Sequence, residues 1–185
     1  IEVTLFNGDA FPAELVGSDS SYDIAVLKIE DKGLPAVSVG DSDTLKVGEE
    51  VIAIGNPLGE LTFTMTNGII SAIDRGMNYN GHTLSLLQTN AAINQGNSGG
   101  ALFNMYGQVV GINTIKMSSS YSNIEGLGFA IPSSTIRRLV NDLLELSRLQ
   151  DAGFRLTMEE VDLCQIVSDA ARGIRRQAQT KKIDL

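Results

Sequence analysis

The sequence predicts a mostly β protein, a barrel or sandwich of short strands followed by a helical C-terminal segment. First, apolar residues before about residue 135 recur in short runs separated by turn residues, the pattern of short strands. Second, the chain has 19 glycines but six Phe, four Tyr and no Trp, which favours many tight turns. Third, the pattern changes near residue 133 to the spacing of an amphipathic helix.

Strands are predicted from apolar runs and their ends from turn residues. Runs of this kind occupy residues 24–27, 51–54 and 109–112. Turn residues separate the runs at Asn7-Gly8-Asp9, 31–33, 40–43, 56–59, Asn80-Gly81 and Gly107. Short strands with such frequent turns are typical of a barrel or a sandwich.

Two helices are predicted after the strands. Ser133 and Ser134 are suitable N-caps for the first, and residues 136–149 place apolar side chains on one helical face. The second is predicted over residues 162–179, and its basic end suits a helix C-terminus. The C-terminal 45–50 residues are therefore expected to form a different module from the strands.

Composition excludes several function classes. The chain has 185 residues, 43% of them hydrophobic and 19% charged, which is a globular rather than a disordered composition. Its 14 basic and 22 acidic residues give a net charge of −8, which argues against a nucleic-acid binder. No apolar run is long enough to span a membrane. The single cysteine, Cys164, excludes an internal disulfide framework and a cysteine zinc site, and we expect no metal or cofactor.

The strongest chemical motif is Gly96-Asn97-Ser98-Gly99-Gly100. Glycines on both sides of a serine allow a tight turn that exposes the hydroxyl. They also allow backbone N–H groups to converge on one point, the arrangement of an oxyanion hole. Taken alone, the same five residues are also compatible with an ordinary surface turn.

The segments around this motif resemble the HtrA/DegP-type trypsin-like serine proteases. Residues 88–102 resemble the segment of that family that carries the nucleophile, and residues 18–29 resemble the segment that carries its catalytic aspartate. Further matching segments follow in the same order at residues 51–59, 66–71, 111–114 and 126–132. The resemblance extends over residues 1 to about 140. It implies a trypsin-like β-barrel, the second barrel of that fold plus a remnant of the first, with a C-terminal α-helical extension.

The resemblance also implies roles for individual residues. Ser98 would be the nucleophile, Asp23 would orient the general base, and the N–H groups of Gly96 and Ser98 would form the oxyanion hole. Substrate contacts would come from Ile93, beside an apolar pocket, and from Ile112, Asn113 and Thr114, which would pair with an extended substrate backbone. The expected substrate is an unfolded or extended polypeptide.

One member of the catalytic triad is missing, because a serine nucleophile of this type needs a histidine as its base. In the family that histidine lies shortly before the segment that matches residues 1–5, so we expect residues 1–136 to be an incomplete protease domain. The only histidine of the chain, His82, lies beside Asn80-Gly81 at no catalytic position of the family, and we interpret it as a solvated turn residue. The chain alone is therefore expected to be inactive. The resemblance further implies a bacterial, extracytoplasmic protein, and leaves homo-oligomerisation open.

Residues 137–185 resemble a different family. Residues 141–150 look like the end of the dimerisation helix of a sensor histidine kinase, and residues 154–185 look like the entry to its ATP-binding domain. The segment has no phospho-accepting histidine and no nucleotide-binding box. An ordinary amphipathic helical tail that packs on the barrel is the alternative.

Three functions are therefore open. The chain is a fragment of a serine endopeptidase, a non-catalytic peptide-binding barrel, or a helical interaction module derived from a kinase.

Overall fold

The computed structural model describes residues 1–31, 33–56, 64–79, 82–94, 96–114 and 126–150. The described elements are β1 (Glu2–Thr4), β2 (Ala10–Asp19), β3 (Ile24–Ile29), η1 (Ser42–Thr44), β4 (Glu50–Gly55), β5 (Thr64–Tyr79), β6 (His82–Thr89), β7 (Ala101–Asn104), β8 (Val109–Thr114), β9 (Gly128–Pro132) and α1 (Ser133–Gln150). The turn predicted at Asn80-Gly81 and the helix predicted over residues 162–179 lie outside the described residues.

Six strands close into a barrel in the order β4-β5-β6-β9-β8-β7, and all neighbouring strands are antiparallel. Strand β4 illustrates the period of two that closure requires, since Val51 and Ala53 are buried whereas Ile52 and Ile54 are half-buried. The barrel core consists of the buried apolar residues Leu45, Val51, Ala53, Ile70, Leu87, Ala91, Ile93, Leu102, Val110 and Ala130. The prediction of a mostly β barrel protein is confirmed.

The three N-terminal strands form a separate antiparallel sheet in the order β1-β2-β3. The predicted Asn7-Gly8-Asp9 turn joins β1 to β2: Gly8 has a φ of 90° and donates its N–H to the Leu5 carbonyl at 2.9 Å. A left-handed φ of this kind favours glycine, which explains the residue type at this position.

A second apolar cluster joins this sheet to the outside of the barrel. It contains the buried residues Ile24 of β3, Leu84 and Leu86 of β6, Phe129 and Ile131 of β9, and Leu139 of α1. The sheet, the barrel and the helix therefore share one core, and residues 1–150 form one compact unit.

Helix α1 confirms the predicted amphipathic helix, and its first turn is fixed by serines. Ser133 is buried; its Oγ donates to the Gly40 carbonyl at 2.8 Å and accepts from the Ser42 N–H at 3.1 Å. The Ser134 N–H donates to the Ser42 Oγ at 3.1 Å. Because these bonds satisfy polar groups at the helix start, the helix begins directly after β9.

The predicted domain boundary after residue 136 remains a prediction. Residues 1–150 form one compact unit, so α1 belongs to the same unit as the strands. Residues 151–185, where most of the predicted helical module falls, lie outside the described residues. In the described part of the chain, no helix is long and apolar enough to cross a membrane.

We predict that Leu139→Ala destabilises the protein by about 2–4 kcal/mol, because it removes a buried side chain from the cluster that α1 shares with the strands. Leu146, on the same helix but 54% exposed, provides the matched control, and Leu146→Ala should change stability by less than about 0.5 kcal/mol. Urea unfolding followed by circular dichroism measures both. Equal effects of the two variants would contradict the packing of α1.

Candidate active site

The turn that carries Ser98 lies just before β7 and is fastened to two barrel strands. The Asn56 N–H, directly after β4, donates to the Gly96 carbonyl at 3.0 Å. The Gly99 N–H donates to the Asn113 carbonyl of β8 at 2.7 Å. The turn is thus held by backbone bonds on both sides, and Ser98 lies between them with a partly exposed surface.

The buried side chain of Asn97 fixes the turn through two hydrogen bonds, which we call the Asn97 clamp. Its Nδ2 donates to the Ala92 carbonyl at 2.9 Å, and its Oδ1 accepts from the Asn94 N–H at 2.8 Å. Asn97 is only 4% exposed, so water cannot replace these bonds. The motif predicts roles for the glycines and the serine of this turn but not for Asn97, because burial of its side chain depends on what packs over it. The one signal available in the sequence is a carboxamide directly before the serine.

The backbone N–H groups of the turn fall into two sets. Those of Asn97, Gly99 and Gly100 donate to the carbonyls of Asn94, Asn113 and Asn97, respectively. Those of Gly96 and Ser98 donate to no group among the described residues. The two N–H groups predicted to form the oxyanion hole are therefore the two that the turn leaves available.

Glycine is required where the turn approaches β4. A Cβ placed on Gly100 would overlap the Ile54 carbonyl oxygen, and one placed on Gly55 would overlap Asn97. These two glycines allow the turn to lie directly against the end of β4. The repeated glycines of the motif therefore have a packing reason as well as a conformational one.

Asp23 is fixed in its backbone but exposed in its side chain. It ends the turn before β3 with a φ of 57°, a left-handed conformation that aspartate tolerates better than most residues. The next residue, Ile24, is buried in the cluster against which Ile112 also packs. The Asp23 carboxylate has no hydrogen-bond or ion-pair partner in the described part of the chain.

His82 lies far along the barrel from residues 96–100, the turn that carries the predicted nucleophile Ser98 and is called the nucleophile turn below. The turn packs on Gly55, which pairs with Thr64 at the start of β5. His82 pairs with Tyr79 at the other end of β5, 15 residues further along the chain. The position of His82 at the opposite end of this long strand agrees with its interpretation as an exposed residue without a catalytic role.

The role of residues 112–114 as a substrate strand stays a prediction, but two of the three are already paired within the barrel. Ile112 pairs with Ala101 on one side and Ile131 on the other, so it has no unpaired edge. Asn113 is likewise occupied, because it pairs with Ala130 of β9 while its N–H and carbonyl bond to Gly100 and Gly99. Both edges of β8 are therefore occupied at these two positions.

Thr114 differs from its neighbours in β8. It pairs with Phe129 of β9, and no described residue pairs with its other side. An added strand that follows β8 would therefore start at Thr114 rather than at Ile112.

Ile93 and Asn113 are both buried next to this region. Ile93 is 9% exposed and contacts Gly128, where a Cβ would approach its Cγ1 to 2.5 Å. Asn113 is 1% exposed, and its Nδ2 donates to the Ala101 carbonyl at 3.3 Å. Its Oδ1 is buried without a hydrogen-bond partner in the described structure. The described residues contain no group of three or more His, Cys, Asp or Glu able to hold a metal ion.

Comparison with known proteins identifies the class. Residues 1–112 match the family described as "Trypsin-like peptidase domain". The chain is 46% identical over 172 residues to "Serine protease Do-like HtrB" of Bacillus subtilis (strain 168), covering 90% of this chain and 37% of that protein. It is 42% identical over 178 residues to "Periplasmic serine endoprotease DegP" of Escherichia coli (strain K12), covering 94% of this chain and 37% of that protein.

A solved structure agrees with these sequence relatives. The "HtrA-type protease AlgW with decapeptide" superposes with a TM-score of 0.72 at 44% identity, covering 79% of this chain and 44% of that one. The chain therefore belongs to the trypsin-like peptidase family and is an HtrA/DegP-like serine protease domain. It spans less than half the length of these relatives.

We predict that Asn97→Ala destabilises the protein by about 2–4 kcal/mol, because it leaves the Asn94 N–H and the Ala92 carbonyl without their partners. Ser98→Ala is the matched control in the same turn; the Ser98 hydroxyl has no hydrogen-bond partner among the described residues, so stability should change by less than about 0.5 kcal/mol. Urea unfolding compares the two. An Asn97→Ala protein as stable as the parent would refute the proposed clamp.

Proposed function

We propose that this chain is part of a serine endopeptidase of the HtrA/DegP protein quality-control class, with Ser98 as its nucleophile. The observation that supports this most directly is the pair of N–H groups on Gly96 and Ser98, which donate to no described group and lie in the turn that exposes the serine. Two such donors stabilise the negative charge that develops on a carbonyl oxygen when it is attacked.

The reaction is acyl transfer to water. The Ser98 oxygen attacks the carbonyl carbon of a peptide bond while its proton passes to a base, and the tetrahedral oxyanion is held by the Gly96 and Ser98 N–H groups. Collapse releases the amine half of the substrate and leaves an acyl-enzyme, which water then hydrolyses. The Asn97 clamp keeps the two donors in place throughout.

The base must come from outside this 185-residue sequence. His82 is the only histidine, and it lies at the far end of β5 and β6 from the nucleophile turn. Asp23, whose carboxylate is exposed and unpaired in the described structure, would orient a histidine supplied by further polypeptide. We propose that the chain alone is inactive for this reason.

The substrate is an extended segment of polypeptide. The related AlgW structure contains a decapeptide, which supports a peptide ligand for proteases of this type. In this chain the substrate backbone would pair with β8 at Thr114, and Ile93 would line the apolar pocket for the side chain before the cut. The related DegP is named a periplasmic enzyme, which supports an extracytoplasmic location; homo-oligomerisation remains a further proposal.

We predict that the 185-residue chain cleaves unfolded casein at a rate on the order of 10⁶-fold below that of a longer protein that adds a suitably placed upstream histidine. Casein cleavage by the longer protein should be abolished by Ser98→Ala. A fluorophosphonate probe should label the longer protein only, since labelling needs the base to activate Ser98. Efficient cleavage by the 185-residue chain, lost on Ser98→Ala, would refute the need for an external base.

A non-catalytic peptide-binding barrel is the second candidate, favoured by the unpaired edge at Thr114 in a chain without a base. If it is correct, an extended peptide binds equally well to the parent and to Ser98→Ala, because strand pairing does not use the hydroxyl. Isothermal titration calorimetry with one fixed decapeptide measures this. If neither protein binds the peptide, this candidate is excluded.

A kinase-derived tail is a separate proposal, made on the resemblance of residues 141–185. Residues 141–150 are helical in α1, and the rest lie outside the described residues. The match to DegP covers 94% of this chain, a larger share than residues 1–150 make up. The alignment therefore extends into the tail, which favours the view that at least part of the tail continues the protease.

A further inference from the structure

The barrel has one stretch of strand edge that its own strands do not cover. Strand β6 pairs with β5 from His82 to Thr89, but with β9 only from Leu87 to Thr89. Strand β9 continues beyond Ala130 only as a partner of β8, pairing Ile131 with Ile112 and Pro132 with Gly111, and α1 begins at Ser133. On the side away from β5, residues 83–86 therefore have no strand partner in the described structure.

A small pocket lies against this edge. Its volume is about 160 Å³, and it is lined by Tyr22, Thr83, Leu84, Ser85, Leu86, Ile131, Thr135 and Arg138. Since a water molecule in the liquid takes about 30 Å³, the pocket has room for about five waters, the size of one amino-acid residue rather than of a drug-sized molecule.

The lining divides into three chemical parts. Leu84, Leu86 and Ile131 are at most 5% exposed and form an apolar floor. Alternate peptide groups of residues 83–86 present N–H donors and carbonyl acceptors to the open side, as any strand edge does. Arg138, in the second turn of α1, adds a guanidinium, the side chain that best matches a carboxylate.

The guanidinium of Arg138 is not already neutralised. The only ion pair among the described residues is that of Lys28 with Glu30, at 2.8 Å on another strand. Asp142 follows Arg138 by one helical turn, and no ion pair joins them. Asp74, the acid of β5, accepts a hydrogen bond from the Ser85 Oγ at 3.1 Å and forms no ion pair with Arg138 in the described structure. In a chain with a net charge of −8, this is a localised cationic group beside an apolar floor.

We propose that this pocket binds the C-terminal residue of an extended peptide. The terminal carboxylate would pair with Arg138, the backbone would add to the open edge of β6, and an apolar side chain would rest on the leucine floor. The site is distinct from the nucleophile turn, which lies beyond the other end of β6. Peptide ends with a free carboxylate are the products of peptide-bond hydrolysis, so the site suits a cleavage product as well as an intact chain terminus.

The test uses the ¹⁵N-labelled 185-residue chain and acetyl-Ala-Leu with a free carboxylate as the probe. We expect saturable shifts of the amide signals of residues 83–86. Arg138→Gln should weaken binding about three- to tenfold, the effect of losing one partly exposed charge pair. Arg137→Gln is the matched control, because Arg137 is the exposed neighbour on α1 and does not line the pocket, and it should bind like the parent.

Two further probes distinguish the parts of the ligand. Acetyl-Ala-Leu-amide should bind the parent as weakly as the free acid binds Arg138→Gln, and isovalerate, a carboxylate without a peptide backbone, should bind more weakly than acetyl-Ala-Leu. The proposal is overturned if residues 83–86 give no saturable shift, if both arginine variants weaken binding equally, or if the amide binds as tightly as the acid. Isovalerate binding as tightly as the dipeptide would exclude a role for the strand edge.

Discussion

The site depends on how the nucleophile turn uses its hydrogen-bonding groups. Closure of the barrel brings the ends of β4 and β8 together, and residues 96–100 are fastened to both by backbone bonds. The Gly99 N–H donates to β8, the N–H groups of Asn97 and Gly100 bond to carbonyls within the turn region, and the buried amide of Asn97 satisfies two more backbone groups from inside. The N–H groups of Gly96 and Ser98 remain. An oxyanion hole needs donors that the fold leaves unpaired, and here the same bonds that fix the turn determine which donors those are.

The acidic residue of the proposed triad is held in a different way. The position of Asp23 does not depend on barrel closure. Its backbone is fixed by the next residue, Ile24, which is buried in the cluster between the N-terminal sheet and the barrel. Ile112 packs against that cluster and precedes Asn113, to which the nucleophile turn bonds. The two proposed catalytic residues are thus connected through one apolar cluster and one strand. A histidine between them would complete the proposed chemistry, and the six-stranded barrel is closed without it.

Much of this could be predicted from the sequence, because the relevant signals are local. Runs such as 51–54, turns such as Asn7-Gly8-Asp9, and the helical spacing of apolar residues in α1 each specify structure within a few residues. Which strands lie beside a given strand depends on residues far away in the sequence. The sequence correctly placed Ile112 and Asn113 in a strand beside the nucleophile turn, but it could not reveal that Ala101, Ile131 and Ala130 occupy both of their edges. The Asn97 clamp was missed for a similar reason, since burial of a polar side chain in a glycine-rich turn is decided by what packs over it.

A closed barrel can still leave part of one strand edge uncovered, because neighbouring strands differ in length. Leu87 of β6 and Ala130 of β9 both lie in the barrel core, and they pair with each other. The last two residues of β9 pair only with β8, and the chain then enters α1 at Ser133, which is buried and bonded to the Gly40 carbonyl. Strand β6, however, still has β5 beside it as far as His82. An exposed edge of this kind invites pairing with other chains, and soluble proteins commonly protect such edges with charge. Arg138 supplies one charge at this edge, and it also selects for a partner strand that ends in a carboxylate.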